Sequence, residues 1–98
     1  MEYLLGLGFN DNIVDELKNN YDENSLILLS VNKNNVINVI NYFKEIGITN
    51  NTIEEILLSN IDFLFIDKNE IENEFNKYEI KSLVSYINND IEILYRLF

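Results

Sequence analysis

The sequence predicts an all-α fold: a short right-handed helical-repeat solenoid of roughly two and a half three-helix units, forming a single domain over residues 1–98. Three observations carry this reading. Apolar residues recur at helical spacing along most of the chain. One capped-helix pattern occurs three times, as DNIVDEL from Asp11, NNTIEEI from Asn50 and NNDIEIL from Asn88. Glycine is confined to Gly6, Gly8 and Gly47, which reads as helix stops, and no proline- or serine-rich linker divides the chain.

The elements follow in order. Asn12 and Asp15 cap a first helix carrying Ile13, Val14, Leu17 and Tyr21. SLILLSV (Ser25–Val31) and IDFLFI (Ile61–Ile66) are short and mostly apolar, so composition and length fit either a buried strand or a helical turn. Each is followed at once by a cap signal, which favours short helical turns. Val36, Val39, Ile40, Phe43 and Ile46 form a stripe predicting a helix over 34–46, closed by Gly47. Asn51 and Glu54 read as a capping box opening the next helix, whose inner face is Ile53, Ile56 and Leu57. Asp67 and Glu70 open another, with Ile71, Phe75 and Tyr78 along it. The stripe then continues out of phase at Ile80, Leu83, Val84 and Ile87, which predicts a bend near Lys77–Glu79. A last helix is expected from Asn89, buried through Ile91, Leu94, Tyr95 and Phe98.

The three capped patterns lie 39 (50 − 11) and 38 (88 − 50) residues apart. Tyr3 and Gly8 map onto Tyr42 and Gly47 at the same 39, and the apolar runs from Leu26 and Ile61 map at 35. NKNNVINVIN from Asn32 echoes DKNEIENEFN from Asp67, also at 35. A near-constant period of this length is the signature of stacked helical repeats, each burying its stripe on its neighbours. The unit is a longer helix, a shorter helix and a short turn.

The stretch YFKEIGITNNTIEEILLSNIDFLFIDKNEI, Tyr42 to Ile71, resembles a repeat of the mitochondrial transcription termination factor (mTERF) family. The resemblance lies in the glycine-ended helix, the capped helix closing in Leu57-Leu58, the polar-Asn pair and the apolar turn. YLLGLGFNDNIVDEL near the start matches partly, and the C-terminal unit faintly. The resemblance implies a curved solenoid of three-helix units that binds nucleic acid along a basic surface. This chain departs from the family twice: Ile61 stands where the short turn usually opens with proline, and the basic surface is missing.

Charge narrows the function classes. Seventeen acids face seven bases, for a formal net charge of −10. Such a surface repels phosphate backbones and anionic lipid and favours basic partners. Cysteine and histidine are absent, which removes disulfide, thiolate and imidazole chemistry and the common zinc ligand sets. DKNEIENE lacks the glycine and an oxygen ligand of a calcium loop. No cofactor is expected, no nucleophile has a base beside it, and the chain is not read as an enzyme. The N-terminus has no basic, long apolar leader, and no apolar run approaches a membrane span, so the expectation is a cytoplasmic protein.

The function expected from these features is a non-catalytic acidic binding module for another protein, a basic one in particular. The alternatives are a nucleic-acid-associated module and an acidic inhibitor that mimics nucleic acid. Lys33 and Lys68 occupy equivalent repeat positions and should point the same way, with Lys44 beside them, as the residues on which any phosphate contact would rest. Asp15, Glu16, Glu54, Glu55 and Glu92 would recur along one edge as the mimic's carboxylates. Ile93, Leu97 and Phe98 add apolar surface beyond the last stripe, as a partner or dimer contact through the C-terminal helix.

Overall fold

The computed structural model describes the whole chain, Met1–Phe98, and every regular element in it is helical. A 3₁₀ helix (Glu2–Leu7) leads into α1 (Ile13–Asn20), α2 (Glu23–Val31), α3 (Lys33–Ile46) and α4 (Asn50–Ser59). A central 3₁₀ helix (Ile61–Phe65) follows, then α5 (Lys68–Phe75), α6 (Ile80–Asn89) and α7 (Glu92–Arg96). Both ambiguous apolar runs are helical, Ser25–Val31 within α2 and Ile61–Phe65 as the central 3₁₀ helix. The expected bend is present too: α5 stops at Phe75 and α6 starts at Ile80.

The middle of the molecule is α3, which touches α2, α4, α5, α6 and the central 3₁₀ helix. Its predicted stripe is its buried face, with Val36, Val39, Ile40 and Phe43 fully enclosed. Phe43 stacks on Phe75 from α5 (ring centroids 5.9 Å apart) and on Phe63 from the central 3₁₀ helix (6.2 Å). Phe63 in turn meets Tyr95 at 6.0 Å and the ring of Phe98 edge-on at 5.2 Å. These contacts join 24 buried apolar residues into one core running the length of the molecule. The radius of gyration, 12.9 Å, is close to the ~12.6 Å of a compact chain of this length, so the helices close on one another rather than spreading into an open arc.

Gly47 ends α3 at φ +102°, a backbone that residues with a Cβ avoid. The Ile48 N–H returns to the Phe43 carbonyl (2.9 Å) and the Gly47 N–H to that of Lys44 (3.2 Å), the paired bonds of a Schellman close. Gly8 ends the first 3₁₀ helix in the same conformation, at φ +90°. Asparagines from the following helices hold both corners. Asn50 Nδ2 donates to the Gly8 carbonyl at 3.5 Å, and Asn88 Nδ2 to the Gly47 carbonyl at 3.1 Å. Asn88 Oδ1 also accepts from the Thr49 N–H (3.1 Å) and the buried Thr52 hydroxyl (3.0 Å). No buried side-chain polar atom lacks a partner.

Several expected starts and stops fall elsewhere. Thr49, not Asn51, caps α4, because its hydroxyl accepts from the Thr52 N–H while Glu54 reaches across to the Asn10 N–H (3.2 Å). Asn89 is the last residue of α6 rather than the first of the final helix; Asp90 instead accepts from the Glu92 N–H (3.1 Å), and α7 begins there. Asn12 makes no side-chain cap; its own N–H is held by Asn10 Oδ1 (2.9 Å). Gly6 lies inside the first 3₁₀ helix and stops nothing. Tyr78 falls past the end of α5 and is 47% exposed, so it leaves the stripe it was assigned to.

The two corner types make a paired prediction. Gly47→Ala forces a Cβ into left-handed backbone and should cost about 1–2 kcal/mol. Gly6→Ala, at negative φ with open space around its Cα, should be neutral or stabilise by up to ~1 kcal/mol. Urea midpoints of the two variants check both; equal shifts would remove the corner argument.

Candidate partner-binding face

Of the residues singled out in the sequence, the lysines come first. Lys33 Nζ lies 5.7 Å above the Tyr3 ring and Lys68 Nζ 5.3 Å above the Tyr42 ring. Each ammonium gains from the negative face of the ring beneath it. Lys68 is tied further to Glu72, 2.7 Å away and one turn along α5. Lys44 donates to the Leu7 carbonyl and sits 5.1 Å from the Phe9 ring.

The three lysines do not converge. Lys33 and Lys44 are about three turns apart on α3 and so share the side that faces the N-terminal 3₁₀ helix. Tyr42, the platform for Lys68, is about two and a half turns from Lys33, on the opposite side of α3. The common direction expected for Lys33 and Lys68 is a common relation to a tyrosine, with the whole of α3 between them.

The C-terminal residues divide. Ile93 and Leu97 are half-buried against the core, whereas Phe98 is 47% exposed although its ring packs on Phe63. Apolar surface at this end therefore rests mainly on Phe98. Of the carboxylates proposed as a repeating edge, Asp15, Glu16, Glu55 and Glu92 are exposed and Glu54 is the half-buried partner of the Asn10 amide.

A second apolar surface lies on α2, which carries none of the residues singled out above. On α2, only Leu29 is buried, while Ile27, Leu28 and Val31 stand in water, Val31 at 73% exposure. The reason is positional. Asp22 caps the helix by accepting from the Ser25 N–H at 2.8 Å, which fixes its start, and the Tyr3 hydroxyl donates to the Leu29 carbonyl at 2.8 Å, which fixes its rotation. With Leu29 turned inward, Ile27 and Val31, one turn apart, must point outward together. Because SLILLSV is apolar on every face, no pattern within it distinguishes the inner residues from the outer ones.

Several titratable groups of the chain are shifted by their surroundings. The Ser25 amide holds the Asp22 carboxyl below the ordinary carboxylate value, and the Ser82 amide does the same for Glu79 at the start of α6. Burial pushes the Tyr3 phenol up to about 12 and raises Tyr21, Tyr42 and Tyr95 in the same direction. The surface recesses are small. The largest, about 360 Å³, is lined by Glu79, Lys81, Ser82, Ser85 and Tyr86, and another of about 250 Å³ lies between the central 3₁₀ helix and Phe98. No three acids gather closely enough to hold a metal ion, and no helix is long and apolar enough to cross a membrane. No family model matches the chain, and neither does any curated protein or solved structure.

Tyr3 makes the α2 geometry testable by pH. Its folded pKa lies above its ordinary value, so the stability it contributes is complete below about pH 10 and is lost as pH rises toward 12. Tyr3→Phe should lose about 1 kcal/mol at neutral pH, with the hydrogen bond to Leu29. It should also lose stability less steeply in alkali, the other buried tyrosines supplying the remaining slope. Urea midpoints between pH 7 and 12 decide this; an unchanged alkaline slope would mean that Tyr3 is not the buried phenol.

Proposed function

We propose that the chain is a non-catalytic binding module that holds another protein against the outward face of α2. The observation that carries this is the exposed line of Ile27 and Val31, flanked by Leu28, on a helix whose cap and inner contacts are fully formed. Aliphatic side chains held together in water on a fixed helix favour association, because their burial is worth roughly 25 cal/mol per Å² wherever a partner can cover them. The net charge of −10 keeps such a surface from drawing copies of the chain together indiscriminately. In this reading the module works in the cytoplasm.

The repeat architecture belongs to the same proposal. Two corresponding glycine corners, each held by a corresponding asparagine, support it, as do the two lysine–tyrosine pairs. In that arrangement the N-terminal 3₁₀ helix, α1 and α2 form one unit. Helices α3 and α4 with the central 3₁₀ helix form the second, and α5 to α7 form an incomplete third. The likeness to the mitochondrial transcription termination factor family rests on the same support and concerns architecture only. With Lys33, Lys44 and Lys68 each turned onto a ring, the family's nucleic-acid role has no matching surface on these residues.

An Ile27→Ser, Val31→Ser double variant tests the function. Both positions are in solvent, so stability should change by less than about 0.5 kcal/mol each. Proteins captured by the immobilised wild-type chain should fall by ~10-fold or more on the variant, in line with losing two buried aliphatic contacts. Undiminished capture on a variant with an unchanged circular dichroism spectrum would rule out α2 as the docking face.

A further inference from the structure

We infer that the occupant of this face is a cationic amphipathic helix of the partner protein, which rests on the reading of α2 as a docking face. The surface has two parts. The first is the line Glu23, Ile27, Val31 on α2, three residues at four-residue steps and therefore stacked along one side of the helix. The second is the recess lined by Asn60, Asp62, Phe63, Ile66, Tyr95 and Phe98. Both border the central 3₁₀ helix, on which α2 packs and to which Asp62 and Phe63 of the recess belong. Asn35, in the first turn of α3, also donates to the Leu64 (3.1 Å) and Ile66 (2.7 Å) carbonyls, which fixes the end of the 3₁₀ helix beside the α2–α3 junction.

Each part combines apolar side chains with one exposed acid: Glu23 beside Ile27, and Asp62 beside Phe63 and Phe98. The lysine that follows α2 directly, Lys33, is drawn onto Tyr3. A second copy of the chain would bring its own −10 charge and the same two acids to the contact, and a nucleic acid would bring phosphates. A helix with leucine-like residues on one side and lysine or arginine along the flanks satisfies both requirements. Its apolar side covers Ile27, Val31 and the exposed Phe98, and its cations face Glu23 and Asp62. This is helix-in-groove recognition with charge complementarity at the rim.

The test uses the full chain and labelled peptides about five helical turns long. One carries leucine at amphipathic spacing with lysine elsewhere, one has glutamate in place of lysine, and one has serine in place of leucine. Fluorescence anisotropy at low ionic strength should show binding of the leucine–lysine peptide, with at least ~10-fold weaker binding of the other two. Ile27→Ser with Val31→Ser should weaken it ~10-fold, and so should Glu23→Gln with Asp62→Asn, the latter by flattening its salt dependence. Equal binding of the serine–lysine peptide, or binding indifferent to the Ile27 and Val31 changes, would overturn the inference. So would self-association that sediments as a dimer and is lost in the same double variant, since the occupant would then be a second copy. Failure of every peptide, while α2-dependent capture of a non-basic protein persists, would reject the cationic helix and leave the docking face standing. Loss of both would reject both.

Discussion

The amide of Asn88 is the joint on which the arrangement of the helices depends. Its nitrogen donates to the Gly47 carbonyl, while its oxygen accepts from the Thr49 N–H and the Thr52 hydroxyl. The partners fix its orientation, because the reversed amide would set donor against donor and carbonyl against carbonyl. Three bonds from one side chain of α6 thus clasp the corner between α3 and α4. That corner cannot be approached by a longer path: Gly47 turns the chain within one residue, and the Schellman close brings Ile48 straight into the core. Thr52 is the only buried polar residue, and Asn88 and Thr49 satisfy its hydroxyl. The polar clasp and the stack of Phe43 on Phe75 therefore act together on the C-terminal end of α3, one by direction and the other by burial.

The corner at Gly8 repeats this in a looser form. Asn50 reaches its carbonyl at 3.5 Å, and the nearby Asn10 N–H is taken by Glu54 rather than by an asparagine. The N-terminal helices are fastened instead by tyrosines. Tyr3 holds the Leu29 carbonyl, and Tyr21 donates to the Leu57 carbonyl (2.8 Å) while accepting from the Ile61 N–H (3.3 Å). Tyr21 therefore ties the end of α1 to the α4–3₁₀ junction, which is why the central 3₁₀ helix sits against α2. The position of the uncovered α2 face is a consequence of these two phenols.

The all-α class was legible because helical period and glycine stops are local signals. The stripe on α3 and the break between α5 and α6 follow from side-chain spacing alone, and both are present. Helix starts were less legible because several polar residues compete for each. Thr49, Asn50 and Asn51 are consecutive, and the choice among them is made by Asn88, a residue 39 positions away (88 − 49). Lys33 and Lys68 were expected to point the same way, but which way an ammonium turns depends on Tyr3 and Tyr42, which only the folded chain brings beneath them. The α2 face was not legible at all. A run apolar on every side carries no phase, and its rotation is set by a hydroxyl 26 residues upstream.

The acidity of the surface and the exposure of α2 then belong to one physical arrangement. No acid in the chain is buried, so nearly the whole excess of negative charge acts at the surface. Mutual repulsion of like-charged molecules opposes the indiscriminate association that Ile27, Leu28, Val31 and Phe98 would otherwise promote. The repulsion is selective by sign: it weakens contact with anionic surfaces and with copies of the chain and strengthens contact with cations. An apolar face can therefore stay uncovered in water without being open to every apolar surface. In the proposed docking role, selection would rest on this field more than on shape. Lys33 and Lys44 lie over aromatic rings and Lys68 also pairs with Glu72, and the excess of ten negative charges remains beside these local pairings.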